Sequence, residues 1–267
     1  MRVRFSVLLL GLLAPLGLFA ASPPPRLLTD QPVPVTLTVE QTPEGENAVF
    51  HIGGDDPAAR VKTLYNPDLA QDFGSHLTWT PPYLLVRSVS GGNCWDCTGV
   101  AIFKIENGTV RRLGDINTDF SPEFAPPAAP GHFITGYSKL EIQTGFCHAC
   151  APFFLVGLAD RGTSLEIDGE GTWALNRELW QRVANTPPEV PPENDEDASW
   201  QWRDEGFRDL VSAAALARFC GREQDLATLQ ARWATVLDQD ARDRMAEALA
   251  TVKPLEPVTA WNAMAPY

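Results

Sequence analysis

Apolar and polar residues alternate strictly through Val35-Thr36-Leu37-Thr38-Val39-Glu40, the mark of a strand with one face in a core and one in water. A second strand is expected over 47–52. The turn between them falls at 42–46, and Gly53-Gly54-Asp55-Asp56-Pro57 closes the pair with turn-forming residues. Further strand-like runs lie at 83–90, 100–105, 109–113, 133–142, 153–158 and 164–167. Asn107-Gly108 between two of them is a strong two-residue hairpin turn. Repeated short strands punctuated by turns predict a β domain over 35–184 built from antiparallel hairpins.

From Trp173 the period changes, and Leu175, Leu179, Trp180 and Val183 suit one face of a short helix. The pattern then fails over 185–199, which carries prolines 187, 188, 191 and 192 and acids 189, 193, 195, 196 and 197 without a base. Such a stretch buries too little apolar surface to fold alone and reads as an acidic, Pro-rich linker. Three helical stripes follow within 200–253. Phe207, Leu210, Val211, Ala214 and Ala217 form the first, stopped by Gly221; Leu226, Leu229, Trp233, Val236 and Leu237 form the second. Met245, Leu249 and Val252 form the third, with Asp240 as a cap and Pro254 opening a tail over 254–267. The expected fold class is therefore mainly β, with a small C-terminal α-helical segment. Three short helices make a marginal core, so that segment is expected to dock on the β part or on a partner.

The N-terminus reads as an export signal over 1–20. Arg2 and Arg4 precede the apolar run 7–14, Pro15 and Gly17 break it, and Ala20 offers a small residue for cleavage. The run is short for a membrane span, and no other segment is apolar enough to be one. Prolines 23, 24, 25, 32 and 34 make 21–34 an extended lead-in. A bias of 17 Arg over 4 Lys suggests a bacterial chain, so the expected location is periplasmic or secreted, where disulfides persist. The net charge of −13, with Arg111-Arg112 as the densest basic pair, argues against nucleic-acid partners and against an anionic membrane surface after the signal is removed.

Within that setting one cysteine constellation stands out: Cys94-Trp95-Asp96-Cys97 and Cys147-His148-Ala149-Cys150. Each pair follows a glycine and one further residue, sits between two predicted strands, and leads on to a turn. A shift of 53 residues superposes the two, which reads as a duplicated hairpin unit over 83–114 and 136–167 with a Cys-x-x-Cys tip. Four thiols in an oxidising compartment form disulfides, within each pair or across the two. Alternatively, Cys94, Cys97, Cys147 and Cys150 hold one structural zinc between facing tips, and a soft four-sulfur site also suits monovalent copper. Redox catalysis is the weaker option, because a catalytic Cys-x-x-Cys opens a helix and here the chain continues as strand. Ala151 stands where a haem-attachment motif needs His. Cys220, before Gly221, reads as a buried free thiol.

The remaining signals are weaker. Asp115 to Glu123 alternates oxygen ligands but has Phe120 where a calcium loop needs Gly, so it reads as a turn. His51, His76 and His132 lack metal-like spacing, and Trp200 and Trp202 read as anchors for the helical segment. No G-x-S-x-G, H-E-x-x-H or phosphate loop is present, and no catalytic residue is assigned, though an unrecognised hydrolase stays open. The expected function is an exported, non-enzymatic binding or scaffold protein for a protein or small-molecule ligand. It needs no cofactor, or one structural zinc. The alternative is a periplasmic thiol-redox or metal-handling protein using the same four cysteines.

Overall fold

Side-chain alternation along the first strands decides which way each sheet turns its apolar face. The computed structural model describes residues 24–42, 45–64, 76–89, 98–117, 131–137, 140, 151–186 and 205–255. The first sheet is antiparallel in chain order: β1 (Arg26–Thr29), β2 (Val35–Thr42), β3 (Gly45–Ile52) and β4 (Arg60–Leu64). Val35 and Leu37 of β2, Phe50 and Ile52 of β3 and Val61 of β4 all face one side and are buried there. Part of the Pro-rich lead-in is itself a strand, since β1 pairs Arg26 with Leu37 and Leu27 with Thr36.

The second sheet, β5 (Leu77–Thr80), β6 (Tyr83–Val89), β7 (Thr98–Glu106) and β8 (Thr109–Asn117), is antiparallel too. It is apolar on both faces. Leu84, Val86, Ala101, Phe103 and Ile105 close one core with the first sheet. Tyr83, Leu85, Val100, Ile102, Leu113 and Ile116 belong to a second core on the other side. The unbroken apolar run at 83–86 reflects this, because a strand covered on both faces needs no polar alternation. Asn107 and Gly108 both have positive φ, 53° and 76°, the type I′ geometry that suits a tight hairpin. A bulge in β8 pairs Ile102 with Gly114 but Phe103 with Arg112, and the extra residue, Leu113, is buried in the second core.

The third sheet has the order β11-β10-β9, from β9 (His132–Tyr137), β10 (Phe154–Asp160) and β11 (Leu165–Ile167). It repeats the connectivity of β6-β7-β8, but counterpart strands start at 83 and 132, 98 and 154, and 109 and 165. The offset between them is therefore not constant. The strand expected over 133–142 ends at Tyr137, and β1, β4 and β5 lie where no strand was expected.

Among the described residues five α-helices come next: α1 (Gly169–Leu175), α2 (Arg177–Asn185), α3 (Phe207–Phe219), α4 (Glu223–Trp233) and α5 (Gln239–Thr251). The helical periodicity after Trp173 thus resolves into two helices split at Asn176. The break has a tertiary cause. Asn176 Oδ1 accepts from Leu155 N at 2.9 Å, while its Nδ2 donates to Leu155 O and Thr172 O, both at 2.7 Å. One turn earlier, Thr172 Oγ1 accepts from Gly157 N at 3.0 Å, and Asp168 N donates to Gly157 O at 2.8 Å. Helix side chains thereby continue the ladder on β10 where short β11 stops, so its backbone groups stay paired. The fit needs glycine at 157, because a Cβ there would lie 3.2 Å from Thr172 N and 3.3 Å from Gly171 C.

The three predicted C-terminal stripes fall on the buried faces of α3, α4 and α5, except that Val236 and Leu237 follow the end of α4 and Val252 caps the end of α5. Helix α3 is buried nearly all round, as befits a central helix. Its Phe219 meets Tyr137 and Phe154 with centroids 5.3 and 5.2 Å away, and those two rings stack at 4.8 Å. The helices thus share one continuous core with the second and third sheets. The segment expected to link them, 185–199, lies almost wholly outside the described residues. No helix among the described residues is long and apolar enough to cross a membrane.

Replacing Asn176 with Ala strands Leu155 N and O together. Asn176→Ala is expected to cost about 2–3 kcal/mol of stability, measured by urea unfolding with an unchanged m-value. A loss below about 0.5 kcal/mol would show that the ladder extension contributes little.

Candidate functional site at the bases of the cysteine connections

Lys104 is the one charged side chain in the run Val100-Ala101-Ile102-Phe103-Lys104-Ile105, and a half-buried charge needs a partner. Its cross-strand neighbour is Tyr83, so both project from the same face of the second sheet. Asp160, at the end of β10, meets them. Its side chain is only 5% exposed, and Oδ2 lies 2.9 Å from Lys104 Nζ and accepts from Tyr83 Oη at 2.9 Å. Oδ1 accepts from Gly162 N at 2.6 Å. Glu106 lies 3.3 Å from Lys104 Nζ on the exposed side, and Arg111 Nη1 donates to Gly162 O at 2.7 Å. Gly131 also closes on the clasp. It has φ 82°, and a Cβ there would lie 3.0 Å from Tyr83 Oη.

That geometry sets the electrostatics. Burial pushes the Asp160 carboxyl up, but hydrogen bonds from Lys104, Gly162 and Tyr83 and the charge of Lys104 outweigh it, holding it below the usual carboxylate range. The hydrogen bond to Asp160 raises Lys104 against the effect of burial. Burial, then the bond to Asp160, pushes the Tyr83 phenol up to about 12. Both carboxylate oxygens are engaged, so the cluster works as a clasp between two sheets and presents no free nucleophile or base.

From the clasp, β6 and β9 lead away and β7 and β10 return. The first pair closes at Val89↔Thr98 and the second at Tyr137↔Phe154. The base of the first is pinned by Thr63, whose Oγ1 accepts from Val89 N at 2.9 Å and donates to Val89 O at 3.2 Å. Near the base of the second, Phe153 N donates to Ser212 Oγ of α3 at 3.1 Å. Cys94 and Cys97 fall in the connection 90–97, and Cys147 and Cys150 in 138–153. All four lie outside the described residues. Downstream of each motif the chain becomes strand: Cys97 leads directly into β7, and β10 begins four residues after Cys150.

The other sequence candidates are dispersed. Cys220 is a free, partly buried thiol; burial pushes it up to about 12, and its Sγ lies 3.8 Å from Gly169 O. His51 Nε2 is 2.8 Å from Thr38 Oγ1, His76 Nδ1 is 2.9 Å from Arg87 O, and His132 is exposed on β9. Asp115 is a strand residue whose carboxylate takes two bonds from Arg112 Nη2, at 2.7 and 2.8 Å, rather than an open calcium ligand. Residues 118–123, Trp200 and Trp202 lie outside the described residues. Among the described residues, no group of three or more His, Cys, Asp or Glu converges as a metal site.

Comparison with protein-family models, curated proteins and solved structures finds no match to this chain. The clasp itself was missed in the sequence. Lys104 inside an apolar strand was its available signal; Asp160, in a turn-like Asp-Arg-Gly, gave none.

The clasp makes a signed prediction. A depressed carboxyl adds stability that is complete above its unfolded value near 3.8 and is lost as pH falls through the lower folded value. Lys104 and Tyr83, both raised, add stability that is lost as pH climbs through the alkaline range. Asp160→Asn is expected to cost about 2 kcal/mol or more at neutral pH, with the wild-type and variant melting curves converging as pH drops below about 4. Thermal midpoints measured from pH 2 to 8 decide it, and parallel curves would remove the carboxylate from the account.

Proposed function

We propose that this chain is an exported, non-enzymatic binding or scaffold protein. In it Cys94, Cys97, Cys147 and Cys150 hold the ends of a duplicated hairpin unit, as disulfides or around one structural zinc. The supporting observation is that both cysteine connections join antiparallel strands leaving one clasp. Tyr83 and Lys104 mark the clasp end of β6 and β7, Asp160 that of β10, and Phe133 at the start of β9 meets the Tyr83 ring edge-on at 5.2 Å. Strands of packed sheets run within roughly 30° of each other in the aligned arrangement, so on this proposal the two connections emerge at the same pole. The strand after Cys97 also favours a structural role over thiol catalysis, since no helix N-terminus follows to lower a thiol pKa. The ligand is a protein or a small molecule carried by surfaces away from the sulfurs.

The test is thiol counting on protein isolated without reductant, together with elemental analysis. Native protein is expected to show at most slow alkylation at Cys220, with either no metal or one zinc per chain. Full alkylation of all five cysteines should require unfolding with reductant or chelator. Cys94→Ser should lower stability by about 2–4 kcal/mol. Four freely reactive, metal-free thiols in the native protein would overturn the structural role. Reduction of a disulfide substrate by the native protein would point instead to thiol-redox chemistry.

A further inference from the structure

Pairing register lines up Leu27, Thr36, His51 and Arg60 in one row across all four strands of the first sheet. Val35, Leu37, Phe50, Ile52 and Val61 alternate with them into the core, so the row belongs to the outward face. His51 is nevertheless only 9% exposed. Its Nε2 is 2.8 Å from Thr38 Oγ1, while its Nδ1 is covered and has no hydrogen-bond partner. Arg60, directly across the strand pair, repeats the pattern. Its Nη2 donates to Asp55 O at 3.0 Å, while its Nε is covered and unpartnered. Arg60 has no carboxylate within ion-pair distance among the described residues. The nearby Glu40 is taken by Lys62 at 2.8 Å, and the Asp56 carboxylate accepts from Ala58 N. On the outward face of β2, β3 and β4 the cations Arg60 and Lys62 thus stand with Glu40, and Asp55 and Asp56 lie in the adjoining turn, in a protein whose net charge is −13.

Buried polar nitrogens without partners are rare, and two on adjacent strands call for a shared cause. We propose that this face binds a small oxyanion, a carboxylate or phosphate group, through Arg60 Nε–H and His51 Nδ1–H. The oxyanion supplies the two missing acceptors at once, and charge-assisted bonds of this kind are the stronger class. Binding selects one tautomer: with the proton on Nδ1, His51 Nε2 accepts from the Thr38 hydroxyl. Arg60 is half-buried, and its long side chain is the group that turns aside to admit the ligand.

The experiment tracks imidazole resonances of the full chain during titration with sodium phosphate and, separately, sodium acetate, at constant ionic strength balanced with chloride. A saturable shift of His51, with exposed His132 unmoved, is the expected result for at least one anion. Arg60→Gln should weaken that binding about tenfold or more, whereas Arg177→Gln, which removes the same charge from α2, should not. Unchanged His76 and His132 resonances would verify that Arg60→Gln is folded. If neither anion moves His51 at concentrations on the order of tens of millimolar, or if the two variants respond alike, the site does not exist.

Discussion

A carboxylate out of water at the end of β10 is tolerable only because three donors close around it. Lys104, Tyr83 and the Gly162 amide take both oxygens of Asp160, and the charge of Lys104 offsets the penalty of burial. This contact fixes the third sheet against the second at one end, where apolar contact alone would leave sliding cheap. Hydrophobic burial is non-directional; a lysine, a phenol and a carboxylate that must meet within hydrogen-bond distance are not. The direction in which β6 and β9 leave the clasp then sets where both cysteine connections begin.

The third sheet is narrow, and its short last strand leaves part of β10 without a neighbour. Elsewhere such an edge would face water or another chain. Here Thr172 and Asn176, one helical turn apart, present side-chain donors and acceptors in place of a strand. The same Asn176 ends α1 and precedes α2, so the helix break and the edge cover are one device. Helix α3 then packs Phe219 onto Tyr137 and Phe154, which commits the C-terminal helices to the β core. Clasp, edge cover and aromatic contact each join segments distant in sequence. This explains why three short helices with little core of their own are stable where they are.

Strict alternation at Val35–Glu40 and the Asn107-Gly108 turn made the β2–β3 and β7–β8 hairpins legible, because both signals are local. The helical stripes at Phe207–Phe219, Glu223–Trp233 and Gln239–Thr251 were legible for the same reason. β1, β4 and β5 were not. They are four or five residues long and run beside prolines or a short helical turn, so no period could develop, and register with longer strands creates them. The split at Asn176 was invisible, since its cause lies 21 residues upstream at Leu155. Among site residues, the cysteine pairs are conspicuous by spacing alone. The Asp160 clasp and the His51–Arg60 row exist only through pairing, which no single-chain period records.

The cysteines also have to be weighed as chain constraints. A bond within Cys94–Cys97 or Cys147–Cys150 closes a loop of four residues and removes unfolded-state entropy worth about 2 kcal/mol. A bond from one pair to the other closes a loop of roughly fifty residues, worth about 4 kcal/mol. The crossed arrangement would restrain a stretch that contains β7, β8 and β9, the strands on either side of the boundary between the second and third sheets. The Asp160 clasp already restrains that boundary at one end. A crossed bond or a shared zinc would restrain it at the other, and the two together resist twisting of one sheet on the other far better than either alone. In-pair bonds would add nothing there. If the sulfurs hold the proposed structural role, the gain from two Cys-x-x-Cys motifs is therefore greatest when they meet across the sheets, because only then do they act on the boundary that the Asp160 clasp holds from its other end.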